Sequence, residues 1–109
     1  MGKSENEVSP FGGRLREART LKGISQKQLG ILAGIDQFSA SSRVNQYERG
    51  KHTPDFLTAK RLALQLSVPV AFLYSEDDEL GEAILTFDKL SAKMKERALL
   101  FMSMSNEEC

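Results

Sequence analysis

The sequence predicts an all-α fold: five helices in one domain, followed by a C-terminal helical extension. In segment after segment, apolar residues recur at the three- and four-residue spacing of one helix face. No segment alternates between apolar and polar residues as a half-buried strand does. Glycines follow the first three predicted helices at Gly23, Gly34 and Gly50, where helices commonly end. The 109 residues are the size of one typical domain.

Capping signals and apolar spacing place the first two helices over residues 10–22 and 25–33. The second has the sequence of a capping box, with Ser25 as N-cap and Gln28 three residues later. It spans only about two turns, so its stability depends on packing rather than on helix propensity. The predicted core-facing residues lie three or four positions apart: Phe11, Leu15 and Ala18, then Leu29, Leu32 and Ala33.

The third helix, predicted over residues 41–49, has few residues that suit a core. Val44 and Tyr47 are its only large apolar side chains and lie one turn apart, so they must face inward. A short helix of this composition presents side chains outward. The polar residues on its other faces are Ser41, Ser42, Arg43, Asn45, Gln46 and Arg49.

Two further helices complete the predicted domain, which spans residues 10–75. Asp55 is the expected N-cap of the fourth helix. A short fifth helix follows over residues 69–74. The apolar residues assigned to the core are Phe56, Ala59, Leu62, Ala63 and Leu66 in the fourth helix, and Phe72 and Leu73 in the fifth.

The predicted extension, residues 76–109, begins with an acidic run that is either a hinge or the first turn of another helix. Two helical patterns follow over residues 80–88 and 92–104, the second capped by Ser91. Their apolar residues are many for a tail outside a domain, so we expect them to dock on it or to pair between subunits. These residues are Leu80, Ile84, Phe87, Met94, Leu99 and Met102.

Charge is unevenly distributed although the formal net charge is zero. Residues 11–75 contain ten Lys and Arg against four Asp and Glu, whereas residues 76–109 contain four against nine. A basic front part suits a polyanionic partner, from which an acidic rear part would be held away. Uneven surface charge without a function is the alternative.

Composition argues against several other classes of protein. No apolar run approaches the roughly 18 residues of a membrane span. Residues 1–9, a predicted disordered lead-in, have no apolar stretch typical of a signal peptide, so a cytoplasmic location is the default. The chain lacks the motifs of a catalytic triad or a phosphate-binding loop. With one cysteine, Cys109, and one histidine, His52, we expect no disulfide, metal, cofactor or enzymatic activity.

Spaced motifs between residues 11 and 74 together resemble a known family. They are Arg14-Leu15-Arg16-Glu17-Ala18-Arg19, Lys22-Gly23-Ile24-Ser25-Gln26, Leu29, Ala33-Gly34, Val44, Tyr47-Glu48-Arg49-Gly50-Lys51, Pro54 and Leu62-Ala63 to Val68. This combination resembles the lambda-repressor/Cro-type helix-turn-helix domain, the XRE family. The resemblance implies a lambda-repressor-like fold and a sequence-specific, repressor-like transcriptional regulator from a bacterium or phage. A helical protein-interaction module that has lost DNA binding is the alternative function.

The resemblance implies that the third helix reads operator DNA in the major groove, where base edges differ in their donors and acceptors. It also implies a homodimer on a palindromic double-stranded operator, and we expect no small-molecule effector. Arg19 and Glu48 match a family ion pair that ties the first helix to the third. The expected base-reading residues are Ser41, Ser42, Arg43, Asn45 and Gln46, and the expected phosphate contacts are Gln26, Lys27, Arg49 and Lys51; for each, an ordinary solvated side chain is the alternative.

Two features depart from the family pattern. Gly30 stands where family members usually have alanine. The turn between the second and third helices, around residues 36–40, is longer than usual by about four residues. Phe38 in this turn is expected to fill the edge of the core, although it could instead reach DNA or a partner.

Overall fold

The structure, a computed structural model, describes residues 8–106 and contains only helices and connections in that range. Cys109 and most of the predicted lead-in therefore lie outside the described residues. The all-α prediction is confirmed within them, except that the fifth predicted helix is a 3₁₀ helix. The helices in chain order are α1 (Phe11–Lys22), α2 (Gln26–Leu32), α3 (Ala40–Glu48), α4 (Phe56–Gln65), the 3₁₀ helix (Val70–Tyr74), α5 (Asp78–Asp88) and α6 (Ala92–Asn106).

The predicted capping residues begin the helices as expected. The Ser25 hydroxyl accepts the backbone N–H of Gln28 at 3.0 Å, and the Gln28 side chain accepts the Ser25 N–H at 2.9 Å. At α4 the carboxylate of Asp55 accepts the N–H of Thr58 at 2.9 Å. Hydrogen bonds from Thr58 hold the pKa of Asp55 below its ordinary value. Gly23 ends α1 with a φ of 77°, a conformation that favours glycine.

The core lies where α1 to α4 and the 3₁₀ helix meet. Two apolar residues assigned to it are exposed instead: Leu32 by 56% and Phe56 by 64%. Both lie at helix ends, where neighbouring elements cover less of the surface, and Ala33 takes the buried position beside Leu32. The buried cluster consists of Phe11, Leu15, Ala18, Leu29, Ala33, Val44, Tyr47, Ala59, Leu62, Ala63, Leu66, Phe72 and Leu73.

Arg14 connects α1 to the start of α5. Its Nε donates to the carbonyl of Ser75 at 2.8 Å, and its Nη2 lies 3.0 Å from a carboxylate oxygen of Asp78. The guanidinium also lies over the ring of Phe72, 5.5 Å from the centroid. Because Asp77 is the N-cap of α5, the acidic run is the first turn of a helix rather than a hinge.

The two helices of the extension differ in how they meet the domain. Ile84 and Leu85 of α5 are partly buried against the core, so α5 docks. In α6 the large apolar side chains remain exposed, with Leu100 at 61% and Phe101 at 71%. None of the helices within residues 8–106 is long and apolar enough to cross a membrane.

The connection between α2 and α3 brings the first turn of α3 against α2 at Gly30. A Cβ on Gly30 would lie 2.7 Å from the Cβ of Ala40 and 3.0 Å from its Cα and carbonyl oxygen. Ala40 is itself fully buried, so it cannot swing aside into solvent. Gly30 and the connection between α2 and α3, the two places where the sequence was expected to depart from the family pattern, are therefore parts of one structural feature.

We predict that Gly30→Ala lowers the free energy of unfolding by about 1–3 kcal/mol, because the added methyl overpacks the contact with Ala40. Urea denaturation measures the change. Gly13→Ala in α1 is the matched control, since no atom lies within 4 Å of its added Cβ. That variant should gain up to about 1 kcal/mol from helix propensity. Equal stability of the two variants would contradict the close approach of α3 to α2.

Candidate nucleic-acid interface

The burial of Val44 and Tyr47 decides which face of α3 is turned to solvent. Val44 is fully buried and Tyr47 is 6% exposed, as the sequence predicted. The five predicted base-reading residues lie on the remaining faces, and we call this part of the helix the α3 face. On it Ser41, Ser42 and Arg43 are exposed, and Asn45 and Gln46 are half-buried.

The hydroxyl of Ser42 is used within the first turn of α3. It donates to the carbonyl oxygen of Ser39 at 3.2 Å, and the same oxygen accepts the N–H of Arg43 at 2.8 Å. In this arrangement the Ser42 oxygen keeps its acceptor capacity. It can therefore accept a hydrogen bond from an amino group on a base edge, which adenine and cytosine present in the major groove.

Gln26, the first residue of α2, is hydrogen-bonded to α3. Its Nε2 donates to Oδ1 of Asn45 at 3.2 Å and to Oε1 of Glu48 at 3.0 Å. Both amide hydrogens are thus engaged, so a phosphate contact that uses them requires one of these bonds to break. The bond to Asn45 occupies its oxygen and leaves its NH₂ group as the donor on the α3 face. Sequence reasoning missed these bonds because they join residues far apart in the chain.

The predicted ion pair between Arg19 and Glu48 is present and joins α1 to the end of α3. Nε of Arg19 lies 2.5 Å from Oε2 of Glu48, and Nη2 lies 3.1 Å from Oε1, a bidentate arrangement. The side chain of Glu48 is 3% exposed and that of Arg19 is 16% exposed. Nη1 of Arg19 also donates to the carbonyl of Ile24 at 3.0 Å. The hydrogen bonds to Glu48 raise the pKa of Arg19.

The cationic residues predicted to contact phosphates lie at the start of α2 and after the end of α3. Lys27 is exposed in the first turn of α2, and Arg49 and Lys51 are exposed after α3. The loop residue His52 lines a polar depression together with Arg43, Gln46, Tyr47 and Thr53. Within the described residues, no group of three His, Cys, Asp or Glu side chains is arranged to hold a metal ion.

The prediction that Phe38 fills the core edge is wrong. Its side chain is 89% exposed, in the connection just before α3. Ala40 and Ile35 fill the space beneath this connection, so the aromatic ring is left outside.

Comparison with known proteins identifies the class. Residues 15–73, from α1 to the 3₁₀ helix, match the family model described as helix-turn-helix. The chain belongs to this family, in its XRE-type branch of DNA-binding transcriptional regulators. The family predicted from the spaced motifs is thereby confirmed.

Two curated relatives come from Bacillus subtilis (strain 168). The uncharacterized HTH-type transcriptional regulator RghRB is 40% identical over 63 residues, which are 57% of this chain and 42% of the relative. The SPbeta prophage-derived uncharacterized HTH-type transcriptional regulator YonR is 38% identical over 63 residues, 58% of this chain and 55% of the relative. The matched region thus spans about half the length of these relatives.

Two solved structures are also similar. The transcriptional regulator BswR is 48% identical with a TM-score of 0.80, and the match covers 86% of this chain and 93% of BswR. The restriction-modification controller protein C.AhdI from Aeromonas hydrophila is 36% identical with a TM-score of 0.55, over 63% of this chain and 98% of the controller. The match to BswR therefore extends beyond the helix-turn-helix region into the C-terminal extension.

We predict that Glu48→Gln lowers the free energy of unfolding by about 3–5 kcal/mol, because it leaves the largely buried Arg19 without its counter-ion. Urea denaturation is the measurement. Glu17→Gln is the matched control, since Glu17 pairs with Arg14 but its side chain is 49% exposed. Exposed pairs contribute less than about 1 kcal/mol. A loss below about 0.5 kcal/mol for Glu48→Gln would mean that this pair is also weak.

Proposed function

We propose that the protein is a repressor-like regulator that acts on operator DNA in the cytoplasm, and that the α3 face reads the base sequence. The observation that best supports this is the α3 face itself: it has five hydrogen-bonding side chains, three exposed and two partly buried, on a helix whose Val44 and Tyr47 face the core. An α-helix fits the major groove, where each base pair presents a distinct pattern of donors and acceptors. We also propose that the protein has no enzymatic activity and binds no small-molecule effector.

The α3 face carries the chemistry for reading several bases. Gln46 can pair with adenine through two hydrogen bonds, and Arg43 can pair with guanine or reach a phosphate. Asn45 offers its NH₂ group because Gln26 holds its oxygen. The face is oriented before DNA arrives, so little conformational freedom is lost on binding.

Charge supports a polyanionic partner at this end of the molecule. Lys27, Arg49 and Lys51 flank the α3 face and are the proposed phosphate contacts. Such contacts position a protein on DNA and make its affinity depend on salt, whereas base contacts give sequence preference. The acidic run at residues 76–79 lies later in the chain, at the start of α5.

The apolar surface of α6 supports a homodimer. Leu99, Leu100, Phe101, Met102 and Met104 are all more than half exposed. A second copy of α6 offers the same exposed apolar side chains, and a two-fold pairing of the helices would bury those that face the partner. Such a dimer would present two α3 faces to successive major grooves, about 34 Å apart, on a palindromic operator.

The base-reading proposal is tested with single alanine variants against operators mutated one base pair at a time. Gln46→Ala and Asn45→Ala should each lose about 1–3 kcal/mol of binding free energy and relax the preference at one position. Lys51→Ala, the control, should weaken binding to all sequences alike and lower the salt slope by about one. Fluorescence anisotropy measures each Kd. An even loss across all operators for Gln46→Ala and Asn45→Ala would exclude α3 as the reading helix.

The dimer proposal is tested by Phe101→Glu, which places a charge on the apolar surface of α6. Light scattering after size-exclusion chromatography should show a dimer for the parent protein. For the variant, the Kd of dimerisation should rise at least about tenfold. Leu64→Glu is the control, because Leu64 is 72% exposed on α4, outside the extension. A parent protein that stays monomeric even on operator DNA would end the proposal.

A further inference from the structure

We propose that Phe38 reads thymine in the major groove by packing its ring against the C5-methyl group, next to the bases contacted by the α3 face. This inference rests on the proposed function of α3 and adds an apolar contact to its hydrogen-bonding residues. It begins from an exposure of 89% for a phenylalanine side chain. This is the highest exposure of any large apolar side chain within residues 8–106.

Phe38 does not hold the fold together. It precedes the N-cap residue of α3, Ser39. An apolar residue at this position often packs on the fourth residue of the helix, a contact called a hydrophobic staple. Here that fourth residue is Arg43, which is charged and exposed, so no apolar partner is provided. The ring therefore contributes little to stability where it lies.

The backbone around Phe38 is held in place although the side chain is exposed. Oδ2 of Asp36 accepts the N–H of Phe38 at 3.0 Å, and the carbonyl of Asp36 accepts the N–H of Ser39 at 3.0 Å. Two residues later, Ala40 is locked against Gly30. The connection between α2 and α3 thus presents the aromatic ring from a hydrogen-bonded support, which reduces the entropy lost on binding.

The position and chemistry of Phe38 fit a thymine methyl. In helix-turn-helix proteins the N-terminal residues of the reading helix contact the base edges. Phe38 lies immediately before that end of α3, within three or four residues of Ser41 and Ser42. Among the groups that the four bases present in the major groove, the methyl of thymine is the apolar one, and phenylalanine is suited to contact it.

The test uses an operator selected from a random DNA library by the full-length parent protein. Each thymine of this operator is replaced singly by deoxyuridine, which removes only the methyl group. For the parent protein, one replacement in each half-site should weaken binding about fourfold, the factor that corresponds to about 0.8 kcal/mol for one buried methyl. Phe38→Ala should bind the thymine operator about fourfold or more weakly and show no further loss with deoxyuridine. Its melting temperature should equal that of the parent.

Leu64→Ala is the matched control, because it truncates an exposed apolar side chain on α4. It should keep the affinity and the deoxyuridine pattern of the parent protein. The inference is overturned if Phe38→Ala retains the parent's deoxyuridine pattern, or if its loss is the same for thymine and deoxyuridine at every position. In both cases Gln46→Ala can still relax one base preference, so the proposed function stands. If Gln46→Ala and Asn45→Ala also lose affinity evenly across all operators, the proposed function fails together with this inference.

Discussion

The nearly buried carboxylate of Glu48 is the constraint around which the α2–α3 unit is arranged. A charge that is 3% exposed requires partners in place of water. Arg19 supplies two N–H groups from α1, and Gln26 supplies a third from the start of α2. The three helices therefore meet at one side chain. The same Gln26 amide also holds Asn45, so the interaction that satisfies a buried charge orients a residue on the α3 face.

Two apolar contacts complete the placement of α3. Val44 and Tyr47 set its rotation about its own axis, because they must face the core. The contact between Gly30 and Ala40 sets how closely its first turn approaches α2. Together with the hydrogen bonds of Glu48 at the C-terminal end of α3, these two contacts leave the helix little freedom to move. A reading surface of short side chains such as serine needs this rigidity, since short side chains cannot adjust for a displaced helix.

Local signals in the sequence were sufficient to predict the helices, because caps and apolar spacing act over a few residues. The capping box at Ser25 and the inward faces of α3 belong to this class, and the ion pair of Arg19 with Glu48 followed from the family resemblance. Leu32, at the end of α2, and Phe38, in the connection before α3, were assigned inward incorrectly. The spacing of apolar residues shows which side chains share a helix face. It does not show how far a neighbouring helix covers that face. The bonds of Gln26 to α3 were not predicted, because they depend on how closely two helices approach.

The contact of Gly30 with Ala40 also makes two positions of the sequence depend on each other. A side chain at position 30 and the present position of Ala40 compete for the same space. A larger side chain at position 30 therefore costs less stability only if a change in the connection of residues 33–39 moves Ala40 away. Substitutions at position 30 and changes in the connection that places Ala40 should therefore be epistatic, and a design that rebuilds this connection must choose residue 30 together with it.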